Sequence, residues 1–141
     1  MPTIAQQFFE TAKTVYGVVN PRHRELAILG LCSILDVPYV VYCHRHIALN
    51  LGLTGEQYDD GLAGKVPGDL TEKEAMVYRL GRILTALVGP LDEKTWQETT
   101  EIMEKTEFLG VVHTVAGYRW VALLEQVGGE DRRWGPAHES S

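Results

Sequence analysis

The sequence of 141 residues predicts an all-α protein, a single-domain helical bundle of six to seven helices. Three observations point there. Apolar residues recur at helical spacing along almost the whole chain, and no segment sustains a period of two. Two capping boxes, Thr54 with Gln57 and Thr71 with Glu74, mark helix starts in mid-chain. Pro and Gly fall between the periodic segments, at Asn20-Pro21, Pro38, Gly52 and Gly89-Pro90.

A first helix is expected over Ile4–Val18, amphipathic through Ile4, Phe8, Phe9, Ala12 and Val15. Asn20-Pro21 ends it, and Pro21 suits the first turn of a second helix over Pro21–Leu35. From Leu26 onward that helix is apolar on all sides, so it belongs at the centre, covered by this chain or by a partner subunit. Asp36-Val37-Pro38 connects it to a third helix, Tyr39–Leu51, closed by Gly52. The capping boxes open a short helix over Gly55–Leu62 and a longer one over Glu72–Val88, with Met76, Leu80, Ile83, Leu84 and Leu87 on one face. Asp92 caps a helix to Lys105, and a last one spans Glu107–Val127. The helical domain is expected over residues 1–129, followed by a polar, flexible tail over 130–141.

Composition narrows the function classes. A hydrophobic fraction of 45% and a charged fraction of 23% suit a soluble globular protein. The net charge of −6 repels phosphate backbones, and the nearest basic cluster, Arg22-His23-Arg24, is followed at once by Glu25, so nucleic acid is not an expected partner. The longest unbroken apolar run, Leu26–Cys32, is far shorter than the roughly 20 residues of a membrane span. Two cysteines and no signal-peptide pattern lead to the expectation of a cytoplasmic protein without structural disulfides.

The first chemical constellation is Glu25 with His44. If the second and third helices form an antiparallel hairpin turning near Asp36, the two residues differ by on the order of 6 Å in height, within reach of a Glu side chain. A carboxylate near an imidazole orients it for general acid/base work. The alternative is Glu25 placed for the helix dipole and His44 a satisfied core histidine.

The stretch Arg24-Glu25-Leu26-Ala27-Ile28-Leu29, then Tyr39, His44, Ala48 and Gly52-Leu53-Thr54, resembles the carboxymuconolactone decarboxylase and alkyl hydroperoxidase D superfamily. The match extends loosely through the Gly64–Leu70 turn, the Trp96 helix and the last helix, and so covers most of residues 20–127. The resemblance implies a helical subunit that assembles into trimers or hexamers, or a dimer, with its site near subunit contacts. It also implies that Glu25 and His44 are the catalytic carboxylate and histidine. The chain departs from the pattern in two places. The Cys-x-x-Cys pair of the peroxidase branch would fall at Pro38 and Val41, and neither is cysteine. The Glu-Trp pair of many decarboxylase-like members reads Val40-Val41 here.

Other candidates stand beside this pair. Cys43 and His46 form a Cys-x-x-His on one side of the third helix, where an imidazole would favour a thiolate. Cys32 lies near the height of Cys43 in the same hairpin, which leaves a non-contiguous dithiol open. His44 and His46 point roughly 200° apart on a helix, so no metal site is expected. His113, within Val111–Val115, is either a buried histidine bonded to a backbone carbonyl or a second acid/base facing His44 across a pocket lined by Tyr39, Tyr42 or Tyr118. Arg22 and Arg24 are candidates for holding a substrate carboxylate.

The functional expectation is a lyase or isomerase needing no cofactor. Its small-molecule substrate would be an organic acid, a lactone or a polyketide-like compound, and its general acid/base His44, oriented by Glu25. Two alternatives remain: a thiol peroxidase using Cys43 with or without Cys32, and a non-catalytic helical oligomer that binds a small apolar ligand.

Overall fold

The computed structural model describes residues 2–128, so the tail expected over 130–141 lies outside the described residues. Seven helices run in the order α1 (Pro2–Val18), α2 (Pro21–Cys32), α3 (Pro38–Asn50), α4 (Gly55–Leu62), α5 (Glu72–Ala86), α6 (Glu93–Ile102) and α7 (Lys105–Gly128). The described residues contain no strand. Both capping boxes close in both directions: Gln57 N donates to Thr54 Oγ1 at 3.0 Å and Glu74 N to Thr71 Oγ1 at 3.1 Å, with the reciprocal side-chain bonds made. Asn20 caps α2 by accepting from the Arg22 and His23 amides, with Pro21 in the first turn. Gly52 follows α3 at φ +94°, a left-handed conformation that glycine adopts without strain.

α2 is the axis of the fold. Every residue from Arg24 to Cys32 is buried, by α3, α4, α5 and α7 of the same chain. Of the two covers left open for an all-apolar α2, this chain supplies the cover itself. The α2–α5 crossing is a backbone-to-backbone contact. A Cβ on Gly30 would lie 2.5 Å from the Tyr78 carbonyl oxygen, and one on Gly81 would run into the Ala27 carbonyl. α2 stops at Cys32 rather than Leu35 because Ser33 turns its hydroxyl onto the Gly30 carbonyl at 2.6 Å, and Ile34 is left exposed. Likewise α6 ends at Ile102, because Met103 adopts an extended conformation and is buried, and α7 then begins two residues earlier than expected.

α1 contrasts with this core. It has no buried residue and packs chiefly along α7, where the Phe8 and Trp120 rings lie 4.7 Å apart. Phe9, Leu123 and Leu124 are 62%, 61% and 57% exposed, so α1 and α7 both carry exposed apolar side chains. No described helix is long and apolar enough to cross a membrane.

Candidate active site

α2, α3 and α7 bring three polar side chains into one line. The Glu25 side chain, 1% exposed, receives the His44 ring: Glu25 Oε2 and His44 Nδ1 are 2.7 Å apart. The height difference reckoned from the sequence is thus bridged by the two side chains. The other ring nitrogen, Nε2, lies 2.9 Å from the Tyr118 hydroxyl, and the two rings meet edge to face. A carboxylate at Nδ1 assigns the ring proton to that nitrogen, which leaves Nε2 to accept the Tyr118 O–H. Arg24 completes the buried charge set, with Nε donating to Glu25 Oε1 at 3.3 Å. A carboxylate so deeply buried needs both partners, since an unpaired one would be strongly destabilising there. Burial, and after it the negative charge of Glu25, pushes the Tyr118 hydroxyl well above its ordinary pKa, so it remains a proton donor at neutral pH.

This line of bonds opens into a cavity of about 280 Å³ between α1, α3 and α7. Its wall carries the His44 ring, Tyr118, Arg24 and Cys43, and α1 roofs it with Phe8, Phe9 and Tyr16. Local sequence explains the placements. α7 turns Phe108, Val111, Val115 and Ala122 inward, and Tyr118 falls on that stripe at helical spacing. α3 presents Val40, His44 and Ala48 inward at intervals of four.

The remaining candidates distribute as follows. Tyr39 lines the cavity, whereas Tyr42 is 79% exposed and is not on its wall. His113 also lines the cavity, but at its edge. The ring is exposed rather than buried, since it sits two positions past Val111 and so off the inward stripe of α7. The group that meets His44 from α7 is Tyr118. Arg22 is not at the cavity: its Nε donates to Glu74 Oε2 at 2.6 Å and its Nη1 to the Leu51 carbonyl at 3.0 Å, tying α2 to α5 and to the end of α3. Arg24, two residues on, is the arginine on the cavity wall.

Both cysteines are free. Cys32 is buried, and burial together with the Glu125 and Glu25 carboxylates pushes its thiol up to about 12, so it stays protonated. Cys43 is half-buried on the cavity wall, where its thiol, next to Tyr39, raises the pKa of that tyrosine. His46 is exposed. Among the described residues no group of three or more His, Cys, Asp or Glu side chains is arranged to hold a metal ion.

One residue escaped the sequence reading. Glu125 of α7 caps α3, its Oε1 accepting from the Tyr39 and Val40 amides at 2.7 and 3.3 Å, while Oε2 is buried without a hydrogen-bond partner. The available signal was negative: Val37, the residue before α3, has no side chain able to cap. In comparison with known proteins, the chain matches no family model, no curated protein and no solved structure.

Proposed function

We propose that this chain is a carboxymuconolactone decarboxylase-like protein, acting as a cofactor-independent lyase or isomerase by general acid/base catalysis next to a carbonyl. The observation that carries the reading is the buried sequence of bonds Glu25–His44–Tyr118 ending in an apolar cavity. Paired carboxylate and imidazole give a base held in one tautomer, and low local polarity strengthens each charge interaction around it.

In the proposed mechanism His44 Nε2 removes a proton from the carbon next to the substrate carbonyl, giving an enolate and an imidazolium. Tyr118 transfers its hydrogen bond from Nε2 to the developing enolate oxygen, which it stabilises. Return of the same proton at a vinylogous carbon moves a double bond. Expulsion of a β-hydroxyl, protonated by the imidazolium, releases water. In the decarboxylating variant the enolate forms by loss of carbon dioxide, and a protonated His44 supplies the proton to carbon. Glu25 is a positioning residue: it fixes the ring and stabilises its cationic form.

The same proposal includes a cytoplasmic homo-oligomer, for which the exposed apolar residues on α1 and α7 are the support. The thiol peroxidase using Cys43 together with Cys32 has less behind it, since the buried Cys32 thiol stays protonated near neutral pH.

The test assays the purified chain and its Glu25→Gln and His44→Ala variants with small lactone acids and β-keto acids, and with cumene hydroperoxide. His44→Ala is expected to lower lyase or isomerase turnover about 10²–10⁴-fold, and Glu25→Gln to displace its pH profile. Hydroperoxide consumption that ignores His44 and follows Cys43 would replace this reading with the thiol one. Ligand binding without turnover of any of these compounds would replace it with a binding protein.

A further inference from the structure

The cavity holds one cation whose charge is only partly answered. Arg24 is 4% exposed, its guanidinium lies 3.4 Å over the Tyr16 ring, and its Nε is turned to Glu25. No described residue accepts a hydrogen bond from its terminal Nη1 and Nη2 groups. Neither Nη group is among the fully enclosed unpartnered polar atoms of the described residues, so both keep some exposure, and the residue lines the cavity. The Nη groups are therefore free for an acceptor that occupies the cavity.

We infer that Arg24 is an anion subsite, and that the cavity takes a small monoanionic acid with a flat apolar body. The inference rests on the acid/base reading of the same cavity for which carbon reacts, and on the geometry alone for what binds. Three features define the class. The anionic head pairs with the Arg24 fork, a geometry that matches a carboxylate with two parallel bonds. Much of the rest of the wall is aromatic or aliphatic, with Phe8, Phe9, Tyr16 and Tyr118 offering ring faces and edges to a planar body. Arg24 is the only lysine or arginine among the lining residues, so the cavity offers one permanent cation, enough for one anionic head. The volume of about 280 Å³ stands near the lower limit of small-molecule sites, roughly 300–1,000 Å³, which suits a small acid. An acid held this way sits between Arg24 and Tyr118, with its body against the roof and the His44–Tyr118 pair beside it.

The test is calorimetric titration of the full chain with trans-cinnamate and with the neutral trans-cinnamamide, neither of which needs to be turned over. Wild type is expected to bind the acid at least about tenfold more tightly than the amide. Arg24→Gln is expected to weaken the acid by about 10–100-fold and to change the amide by less than about threefold. Arg24→Lys is expected to fall between the two, keeping the charge but losing the fork. Equal affinity of acid and amide in wild type, no binding of cinnamate, or equal weakening of both ligands in Arg24→Gln with an unchanged unfolding curve would overturn the inference. Should Arg24→Gln fail to fold, the wild-type ratio of acid to amide decides it alone. Acid-selective binding in a chain that turns over nothing leaves the subsite standing and removes the proposed function. Turnover lost in His44→Ala, without any preference for the acid, does the reverse.

Discussion

α1 and α2 enclose the same cavity and are held by opposite means. α2 is buried without interruption from Arg24 to Cys32 and meets α5 backbone to backbone through Gly30 and Gly81. α1 has no buried residue and is held by side chains, Phe8 against Trp120 and Tyr16 under Arg24. The groups that must keep a fixed hydrogen-bond geometry, Arg24 and Glu25, ride on the rigid element, where close-packed backbones leave little freedom. The roof of the cavity rides on the weakly held one, which has no buried residue to anchor it.

Two glycines break this comparison most directly. Gly81→Ala forces a methyl into the Ala27 carbonyl and is expected to cost about 3 kcal/mol or more in urea unfolding. Gly17→Ala, in α1 with nothing within 4 Å of an added Cβ, is expected to be neutral or to stabilise by about 0.5–1 kcal/mol. Equal effects at the two sites would remove the distinction between wall and roof. A smaller effect is expected for Phe8→Ala: about 1 kcal/mol or less in global stability, because Phe8 is only half-buried, but faster amide exchange along α1 with α2 unchanged. Hydrogen exchange that accelerates equally in both helices would contradict this.

The smallest effect concerns acid. Glu74 is held below the usual carboxylate range: burial alone would raise it, but the hydrogen bonds from Arg22 and Thr71 outweigh burial. Its folded pKa is below its unfolded one, so its contribution is complete above the unfolded value and is lost as pH falls through the folded one. Glu74→Gln is expected to cost about 0.5–1 kcal/mol at neutral pH and to flatten the acid limb of the stability curve. An acid limb identical to that of wild type would show that the Arg22–Glu74 pair does not contribute.

What could be read from the sequence was local. The capping boxes, Asn20-Pro21 and Asp92 fix helix starts through contacts within three residues, and all appear at the expected positions. The Glu25–His44 contact was reachable because one tight connection between two helices turns residue counting into distance. Tyr118 could be placed only as a pocket wall. Its bond to His44 spans 74 positions and depends on how α7 is rotated, which packing decides. The same rotation moved His113 to the edge. Arg22 and Arg24 illustrate the limit well: two positions apart on a helix they face roughly opposite ways, and only the location of α5 and of the cavity tells which one serves structure. The Glu125 cap on α3 had no positive signal at all, because the residue supplying it is 86 positions from Tyr39.

The central claim is that His44, positioned by Glu25 and aided by Tyr118, moves a proton to and from carbon beside a carbonyl. The most direct measurement incubates phenylpyruvate, an aryl acid with an enolisable carbon, with the chain in deuterium oxide and follows deuterium incorporation at that carbon by NMR. The account expects incorporation well above the buffer rate in wild type, at least about tenfold slower in Tyr118→Phe, and at the buffer rate in His44→Ala. Incorporation that persists unchanged in His44→Ala, or that never exceeds the buffer rate in wild type, would contradict it.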